Sequence, residues 1–292
     1  MKKVIFKGTA TALITPFTND GIDYESFGKL IDFQIEKGIN ALVICGTTGE
    51  AAAMPDDEHI EAMKFAVDKT AGRVPVICGT GSNDTKHGIN LSREAQRIGA
   101  DALLLVTPYY NKTSQEGLYQ HFKMTAEAVD IPVIMYNVPS RTNLNMAPET
   151  VARLAAIDNI AAIKECNLTQ LADVRRLTPD DFLIYSGNDD QIIYNLVMGG
   201  SGVISVLSNV MPEYTVQMTA KFFGGAIAES RKMQLDVMPL LNALTGDVNP
   251  IPVKAAMKLM GYCNGILRLP LVELQEKNLA VLKNEMAKWN LI

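Results

Sequence analysis

Residues 75–110 read PVICGTGSNDTKHGINLSREAQRIGADALLLVTPYY, and this pattern returns along much of the chain. The stretch begins and ends with an apolar run, 75–81 and 101–110, in which hydrophobic and polar residues do not alternate. Such runs are typical of strands that are covered on both faces in a parallel sheet. Gly99 stands where a helix between the two runs should end. The stretch therefore predicts a strand–helix–strand unit.

Similar apolar runs recur through the first two-thirds of the chain, separated by segments with helical periodicity. Gly38 and Gly72 precede two of these runs, as Gly99 does. Strands that alternate with helices in this way predict an α/β fold, a (β/α)8 TIM barrel. A doubly wound open sheet is the alternative, but no GxGxxG fingerprint follows the first run. The eight runs are 11–17, 41–49, 75–81, 101–110, 132–139, 160–166, 182–189 and 202–209.

Beyond residue 211 the strand rhythm ends, and the remaining sequence has the pattern of helices separated by Gly, Asn and Pro. The first of these helices is expected to close the barrel, and the others to form a C-terminal helical extension. We expect the barrel to comprise residues 1–224 and the extension residues 225–292. The sharpest break between the C-terminal helices is NPIP at 249–252.

The composition favours a globular protein that acts on small molecules. Of 292 residues, 48% are hydrophobic and 20% are charged, which is enough for a large core. The net charge of −5 argues against a nucleic-acid partner or an anionic membrane surface. No signal peptide is predicted, and no apolar run reaches the roughly 18 residues that a membrane-spanning helix needs. The four cysteines form no CxxC pair and are expected to be reduced, so a cytoplasmic protein is predicted.

Lys164 is the most unusual residue, because it follows the apolar sequence IAAI (160–163) before any turn residue. A lysine at a strand end can simply extend its ammonium group into water or pair with a carboxylate such as Glu165. Burial, however, disfavours the ammonium form and can lower a lysine pKa by about 3–5 units. A neutral amine attacks carbonyl groups, and the product is a Schiff base.

Other polar residues follow the predicted strands and should meet Lys164 at one mouth of the barrel, where such folds carry their chemistry. Tyr136 could pack in the core, or its phenol could pass protons while a carbinolamine forms and dehydrates. Thr47 and Thr48, in GTTGE at 46–50, could form only a tight turn, or their hydroxyls and neighbouring N–H groups could bind a carboxylate. GTTG is not a P-loop, because no GK[ST] follows.

Arg141 follows the strand at 132–139 closely, so it is either a surface residue or a bidentate clamp for a carboxylate. The three histidines, His59, His87 and His121, lack the spacing of metal ligands and are interpreted as structural or surface residues. No metal site is predicted.

Several motifs, in order along the whole chain, make the sequence similar to the dihydrodipicolinate synthase family of pyruvate-dependent class I aldolases. The family resemblance implies a (β/α)8 barrel and the condensation of pyruvate with L-aspartate 4-semialdehyde, the first committed step towards diaminopimelate and lysine. It also implies that no cofactor is needed, because pyruvate is held covalently on a lysine. The motifs are GTTGE at 46–50, TPYYNKTSQEG at 107–117, YNVPSRT at 136–142, IKE at 163–165, SG at 186–187, GVISV at 202–206 and NPIPVK at 249–254.

The resemblance assigns a role to each matching residue. Lys164 would form the Schiff base, and Tyr136 would pass protons through Thr47 to Tyr110 of a neighbouring subunit. Thr48 would hold the carboxylate of pyruvate. The resemblance further implies that Arg141 binds the carboxylate of the semialdehyde and that Gly187 and Ile204 offer main-chain contacts. It also implies a homo-oligomer, usually a tetramer built as a dimer of dimers.

Two related activities and one unrelated function are the alternatives. A 2-keto-3-deoxy sugar acid aldolase, or a retro-aldolase like N-acetylneuraminate lyase, would use the same Schiff base. Sialic-acid lyases resemble GSTGE where this chain has GTTGE, and the related aldolases tend to lack the arginine found here as Arg141. A barrel that only senses a keto acid could lose Lys164 or Tyr136, yet both positions are filled.

The sequence departs from the family pattern at two places. After Lys164 it runs ECNLT, two residues shorter than the family pattern, so the loop beside this lysine must be rebuilt. In members inhibited by lysine, a histidine and a glutamate of the effector site align with Asp56 and His87 here. The matching glutamate is therefore lost, although Asp56 is gained, and we expect weak or absent inhibition by lysine. The other matching effector positions are Ala51, His59, Asn83 and Tyr109.

Overall fold

Parallel strands form a closed barrel, as the sequence predicts. The computed structural model describes residues 2–292. Within them, each strand pairs with its neighbours in chain order, and the last pairs with the first. The strands are β1 (Gly8–Ala12), β2 (Ala41–Ile44), β3 (Val76–Gly79), β4 (Ala102–Val106), β5 (Val133–Asn137), β6 (Ile160–Glu165), β7 (Leu183–Ser186) and β8 (Gly202–Ser205).

Helices follow the strands and cover the barrel. Those before β2, β3 and β4 end just ahead of Gly38, Gly72 and Gly99, which have positive φ angles as expected of residues that terminate helices. The helices of this layer are α1 (Tyr24–Glu36), α2 (Asp56–Thr70), α3 (Thr85–Arg97), α4 (Gln115–Ala126), α5 (Pro139–Thr142), α6 (Pro148–Ala155), α7 (Leu171–Leu177), α8 (Ile192–Val197) and α9 (Pro212–Phe223). None of the helices described in 2–292 has the length and apolar content needed to cross a bilayer.

The first predicted strand was misplaced. The run 11–17 overlaps β1 only at its start, because β1 begins earlier, in the threonine-containing sequence GTATA. Thr9 donates a hydrogen bond to the main-chain oxygen of Thr215 at 3.1 Å, and Thr11 donates to Gln34 at 2.6 Å. These bonds satisfy the buried hydroxyl groups, so polar residues can occupy a buried strand that a hydrophobicity pattern does not detect.

The C-terminal helical region continues from the barrel layer. It consists of α10 (Ile227–Leu244), α11 (Ile251–Leu259) and α12 (Glu276–Lys288). Helix α9 packs against β1, whereas α10 packs against α9 and α12. We propose that the barrel unit spans 1–224 and the extension 225–292, on the grounds of these contacts; Met1 of that span lies outside the described residues.

Two layers of apolar side chains form the core. An outer cluster lies between the strands and the helices, and an inner one fills the barrel. Successive residues of a strand point to opposite faces, so Ala162 belongs to the inner cluster and Ile163 to the outer one. By the same alternation, Lys164 points into the barrel and Glu165 points out of it.

Candidate active site

Lys164 lies inside the mouth of the barrel near the end of β6. Its residue surface is only 5% exposed. Glu165, the partner that an ordinary strand-end lysine could use, faces away and accepts hydrogen bonds from the side chains of Asn137 at 2.8 Å and Gln170 at 3.0 Å. The interpretation of Lys164 as a solvated or Glu165-paired lysine is therefore wrong.

The surroundings of Lys164 favour its neutral amine. Burial lowers the pKa of Lys164, the nearby guanidinium of Arg141 lowers it further, and Cys166 and Asp189 oppose these effects. The Nζ atom lies 4.4 Å from the ring centroid of Tyr136. A lysine in this environment can act as a nucleophile towards a carbonyl group.

Tyr136 stands directly beside Lys164, because the two residues are aligned in the pairing of β5 with β6. Burial raises the pKa of the Tyr136 phenol above its usual value, and the neighbouring Thr47 hydroxyl acts in the opposite direction. The phenol therefore keeps its proton at neutral pH and can donate it to a developing negative charge or pass it on.

The GTTGE segment follows β2 as a compact turn. Gly49 and Glu50 donate main-chain hydrogen bonds to the carbonyls of Gly46 and Thr47, both at 3.1 Å. Thr48 is buried within the turn. At its end, the carboxylate of Glu50 forms a buried ion pair with Lys254 of α11 and also accepts the main-chain N–H of Arg268 at 3.0 Å. The C-terminal helical region thus fixes the turn that carries both threonines.

Gly187 leaves the space that Lys164 needs. A Cβ atom added at Gly187 would lie 2.2 Å from the Sγ atom of Cys166, which is too short, and 3.1 Å from the Cε atom of Lys164, which is a tight contact. Ile204, on β8, is buried in the inner cluster and is aligned with Ala10 of the adjacent strand β1. Gly187 thus adjoins the lysine, whereas Ile204 lies in the interior of the barrel on β8.

Arg141 lies on the short helix α5, directly after β5. Its Nη2 atom donates a hydrogen bond to the main-chain oxygen of Asn249 at 3.0 Å. Tyr110, by contrast, is 94% exposed, with a φ angle of 66°, and it does not line the cavity beside Tyr136. The structure therefore places Thr47, Tyr136 and Arg141 in the lining of one cavity, whereas Tyr110 is exposed outside that lining.

A cavity of about 480 Å³ joins the mouth of the barrel to most of the predicted effector positions. His87 contacts the carboxylate of Asp56 at 2.9 Å, and His59 bonds to the main-chain oxygen of Gly79 at 2.9 Å. Asn83 lies apart, at a neighbouring surface depression. No three His, Cys, Asp or Glu side chains in the described part of the chain are grouped as metal ligands. The residues that line the cavity include Thr47, Tyr136, Arg141, Asn249, Ala51, Asp56, His59, His87 and Tyr109.

Sequence reasoning missed two polar residues at the mouth. Asp189 holds one carboxylate oxygen against the main-chain N–H groups of Val206 and Leu207, at 2.8 and 3.0 Å, while its other oxygen is buried without a partner. Burial raises its pKa. Asn249 donates a hydrogen bond to the Thr48 hydroxyl at 3.0 Å. Asp189 ends the apolar run 182–189, and Asn249 begins the motif NPIPVK at 249–254. Nothing local in the sequence, however, shows that either side chain reaches the mouth of the barrel.

The loop after Lys164 brings the thiol of Cys166 into the site. Burial raises the pKa of Cys166 to about 11, with Lys164 acting in the opposite direction, so the thiol is protonated at neutral pH. The loop continues through a short helical turn at Leu168–Gln170 into α7.

A closed (β/α)8 barrel with a desolvated lysine and a phenol side by side at the carboxyl ends of its strands defines an enzyme of the class I aldolase type. Residues 5–288 match the model of the dihydrodipicolinate synthetase family. The chain belongs to this family.

Individual relatives agree with the family match over the full chain. The 4-hydroxy-tetrahydrodipicolinate synthase of Acetivibrio thermocellus is 54% identical over 292 residues, which are 100% of both chains. A crystal structure of dihydrodipicolinate synthase from Thermotoga maritima has a TM-score of 0.97 and 44% identity, covering 99% of this chain and 100% of the other. A monomeric dihydrodipicolinate synthase variant has the same TM-score and identity, covering 99% of this chain and 98% of the other. The predicted family and enzyme class are thereby confirmed, and the sugar-acid and sialic-acid alternatives are not favoured.

Proposed function

We propose that this protein condenses pyruvate with L-aspartate 4-semialdehyde to 4-hydroxy-tetrahydrodipicolinate, as the names of its relatives indicate. The observation that carries the proposal is the buried Lys164 amine, aligned with the Tyr136 phenol on the adjacent strand. The same reaction is the first committed step towards diaminopimelate and lysine.

In the first half-reaction, Lys164 attacks the ketone carbon of pyruvate. Tyr136 donates a proton to the carbonyl oxygen and then helps the carbinolamine to lose water, which leaves the Schiff base. Removal of a proton from the methyl group gives the enamine.

In the second half-reaction, the nucleophilic carbon of the enamine attacks the aldehyde of the second substrate. The amine of that substrate finally displaces Lys164 as the ring closes, so the free lysine is regenerated without any cofactor.

Two carboxylate-binding positions select the substrates. Thr48, together with main-chain groups of its turn, would hold the carboxylate of pyruvate, and Gly187 and Ile204 would contribute main-chain contacts beside it. Arg141 at the cavity entrance would bind the carboxylate of the semialdehyde through its planar fork. An arginine at this entrance is the feature that favours the semialdehyde over a sugar acid.

The proposed proton relay runs from Tyr136 through Thr47 to Tyr110 of a second copy of the chain. The exposure of Tyr110 supports a role outside its own subunit, because the side chain has no covered environment in a single chain. The active form would then be at least a dimer, and a tetramer built as a dimer of dimers is proposed. If so, Tyr110→Phe should strongly impair turnover while leaving the oligomer, measured by sedimentation, intact.

The cytoplasm is the proposed location. All four cysteines are free thiols, which fits a reducing compartment. Feedback inhibition by lysine is proposed to be weak or absent. The Asp56 carboxylate, which would have to attract the cationic effector, already contacts His87. A titration of turnover with lysine tests this, and inhibition below about 1 mM would contradict it.

Borohydride trapping with pyruvate tests the proposed function, followed by mass mapping of the peptides and a turnover assay with aspartate semialdehyde. A pyruvyl adduct on Lys164 and turnover with the semialdehyde are expected. An adduct on another lysine would preserve the chemistry but overturn the site. Folded protein without any adduct would support the keto-acid sensor instead.

A further inference from the structure

Asn249 contacts both side chains to which the two substrate carboxylates are assigned. It lies between α10 and α11, where the C-terminal helical region reaches the mouth of the barrel, and it lines the cavity. Its Nδ2 atom donates a hydrogen bond to the Oγ1 atom of Thr48 at 3.0 Å. Its main-chain oxygen accepts a hydrogen bond from Arg141, also at 3.0 Å.

The direction of the bond to Thr48 determines what the hydroxyl can do. A threonine hydroxyl has one proton to donate and two lone pairs that accept. When Asn249 donates, it occupies a lone pair and leaves the Thr48 proton available. Thr48 makes no other side-chain hydrogen bond among the described residues. Its proton is therefore available to donate to a carboxylate, and such charge-assisted bonds are stronger than neutral ones.

The other side-chain atom of Asn249 argues against a purely structural role. Its Oδ1 atom is buried and has no hydrogen-bond partner. Asparagines that only stabilise a turn usually use this oxygen to accept a nearby main-chain N–H group. Here the oxygen stays unpaired while the amide nitrogen is directed to Thr48, so the side chain is arranged around the hydroxyl.

We propose that Asn249 is a positioning residue for substrate binding: its side-chain amide keeps the Thr48 hydroxyl as a donor to the keto-acid carboxylate, while its main-chain carbonyl holds Arg141 at the cavity entrance. This proposal rests on the proposed function, because it takes Thr48 and Arg141 as the two carboxylate ligands. It makes the C-terminal helical region part of the substrate site.

Two substitutions at Asn249 test its bond to Thr48: one removes the side-chain amide, and the other replaces the hydrogen-bond donor by an acceptor. Asn249→Ala removes the amide but leaves the main-chain carbonyl, so the KM for pyruvate should rise about three- to tenfold, with kcat and the KM for the semialdehyde changing less than about twofold. Asn249→Asp places an acceptor where the donor was. It should capture the Thr48 proton and repel the carboxylate, raising the KM for pyruvate roughly 30- to 100-fold.

A double-mutant cycle with Thr48→Val tests whether Asn249 acts through the hydroxyl. In the Thr48→Val background, adding Asn249→Ala should change the KM for pyruvate less than about twofold. Asn242→Ala, an exposed asparagine on α10, is the matched control and should behave as the wild type. The thermal unfolding midpoint of each variant is measured alongside.

The outcomes distinguish this proposal from the proposed function. If the wild type forms no pyruvate adduct and does not turn over, the proposed function fails. If the wild type is active but Asn249→Asp binds pyruvate normally, Thr48 donates its proton to Asn249 and the inference is overturned. Equal changes in kcat and both KM values for Asn249→Ala, undiminished in the Thr48→Val background, would also overturn it, because they indicate a general structural role.

Discussion

Two buried lysines, Lys164 on β6 and Lys254 on α11, occupy similar surroundings. Lys164 is 5% exposed and Lys254 is 0% exposed, and each Nζ atom lies over an aromatic ring, 4.4 Å from the centroid of Tyr136 and 4.2 Å from that of Phe17. Burial lowers the pKa of both. Lys254, however, forms an ion pair with Glu50, whereas no carboxylate in residues 2–292 forms one with Lys164.

The difference shows that burial alone does not produce a nucleophile. A carboxylate in direct contact favours the ammonium form and opposes the effect of burial, so Lys254 is a charged anchor that joins α11 to the GTTGE turn. Without such a partner, the desolvated Lys164 more readily loses its proton. The same residue type therefore serves structure at one position and chemistry at the other.

Removing each amine in turn is the strongest test of this comparison. Lys164→Met should lower kcat/KM by at least about 10⁴-fold, because no other group can form the Schiff base. Borohydride trapping with pyruvate should yield no adduct. Lys254→Met, assayed at a temperature where it is folded, should still be trapped at Lys164. An adduct on Lys254 in the Lys164→Met protein would contradict the division of roles.

The ion pair of Lys254 with Glu50 should instead contribute mainly to the stability of the fold. Lys254→Met leaves the carboxylate of Glu50 buried without its cation, which we expect to lower the free energy of unfolding by about 3–5 kcal/mol. Denaturant titration measures this change. Lys232→Met is the control, since it breaks the exposed pair with Asp236 and should change stability by less than about 1 kcal/mol. Equal effects of the two substitutions would mean that the buried pair is no anchor.

Space around the nucleophile is the next requirement. Gly187→Ala would push a methyl group against Cys166 and Lys164, and a displacement of about 1 Å in a reacting group can cost roughly 100-fold in rate. We therefore expect kcat/KM to fall about 100-fold with little loss of stability. The Gly187→Ala, Cys166→Ala double variant removes the closer contact and should regain about tenfold. No recovery would locate the clash at Lys164 itself.

Much of this comparison could be predicted from the sequence, but only on the barrel side. Strands covered on both faces are continuous apolar runs, so their rhythm predicted the barrel, and Lys164 stood out because it interrupts one of them. Strand β1 was predicted too late in the sequence, because hydrogen-bonded threonines stand where apolar residues were expected. The pair of Glu50 and Lys254 joins positions 204 residues apart, and no local pattern encodes such a contact. The role of Asn249 could not be predicted for the same reason, because its partner Thr48 is 201 residues away in the sequence.

The smallest expected effect concerns Glu165, the neighbour of Lys164 in sequence. Burial raises its pKa from 4.5 to about 7, although Asn167, Gln170 and Asn137 donate hydrogen bonds that oppose the shift. The folded state therefore binds this proton more tightly than the unfolded chain. Its contribution to stability is full below about pH 4.5 and is lost as the pH rises through about 7.

Glu165→Gln removes this titration, so the decline in unfolding free energy between pH 5 and 8 should become smaller by about 1–3 kcal/mol, as measured by denaturant titration across that range. Glu149→Gln, the same substitution at an exposed position, is measured as the control. The Glu165→Gln variant also tests the comparison of Lys164 with Lys254. Because Glu165 points out of the barrel, its loss should not change the pH dependence of pyruvate trapping at Lys164. A shift of that profile to lower pH would show that Glu165 acts as the counter-ion of Lys164, as Glu50 does for Lys254, and the contrast between the two lysines would then disappear.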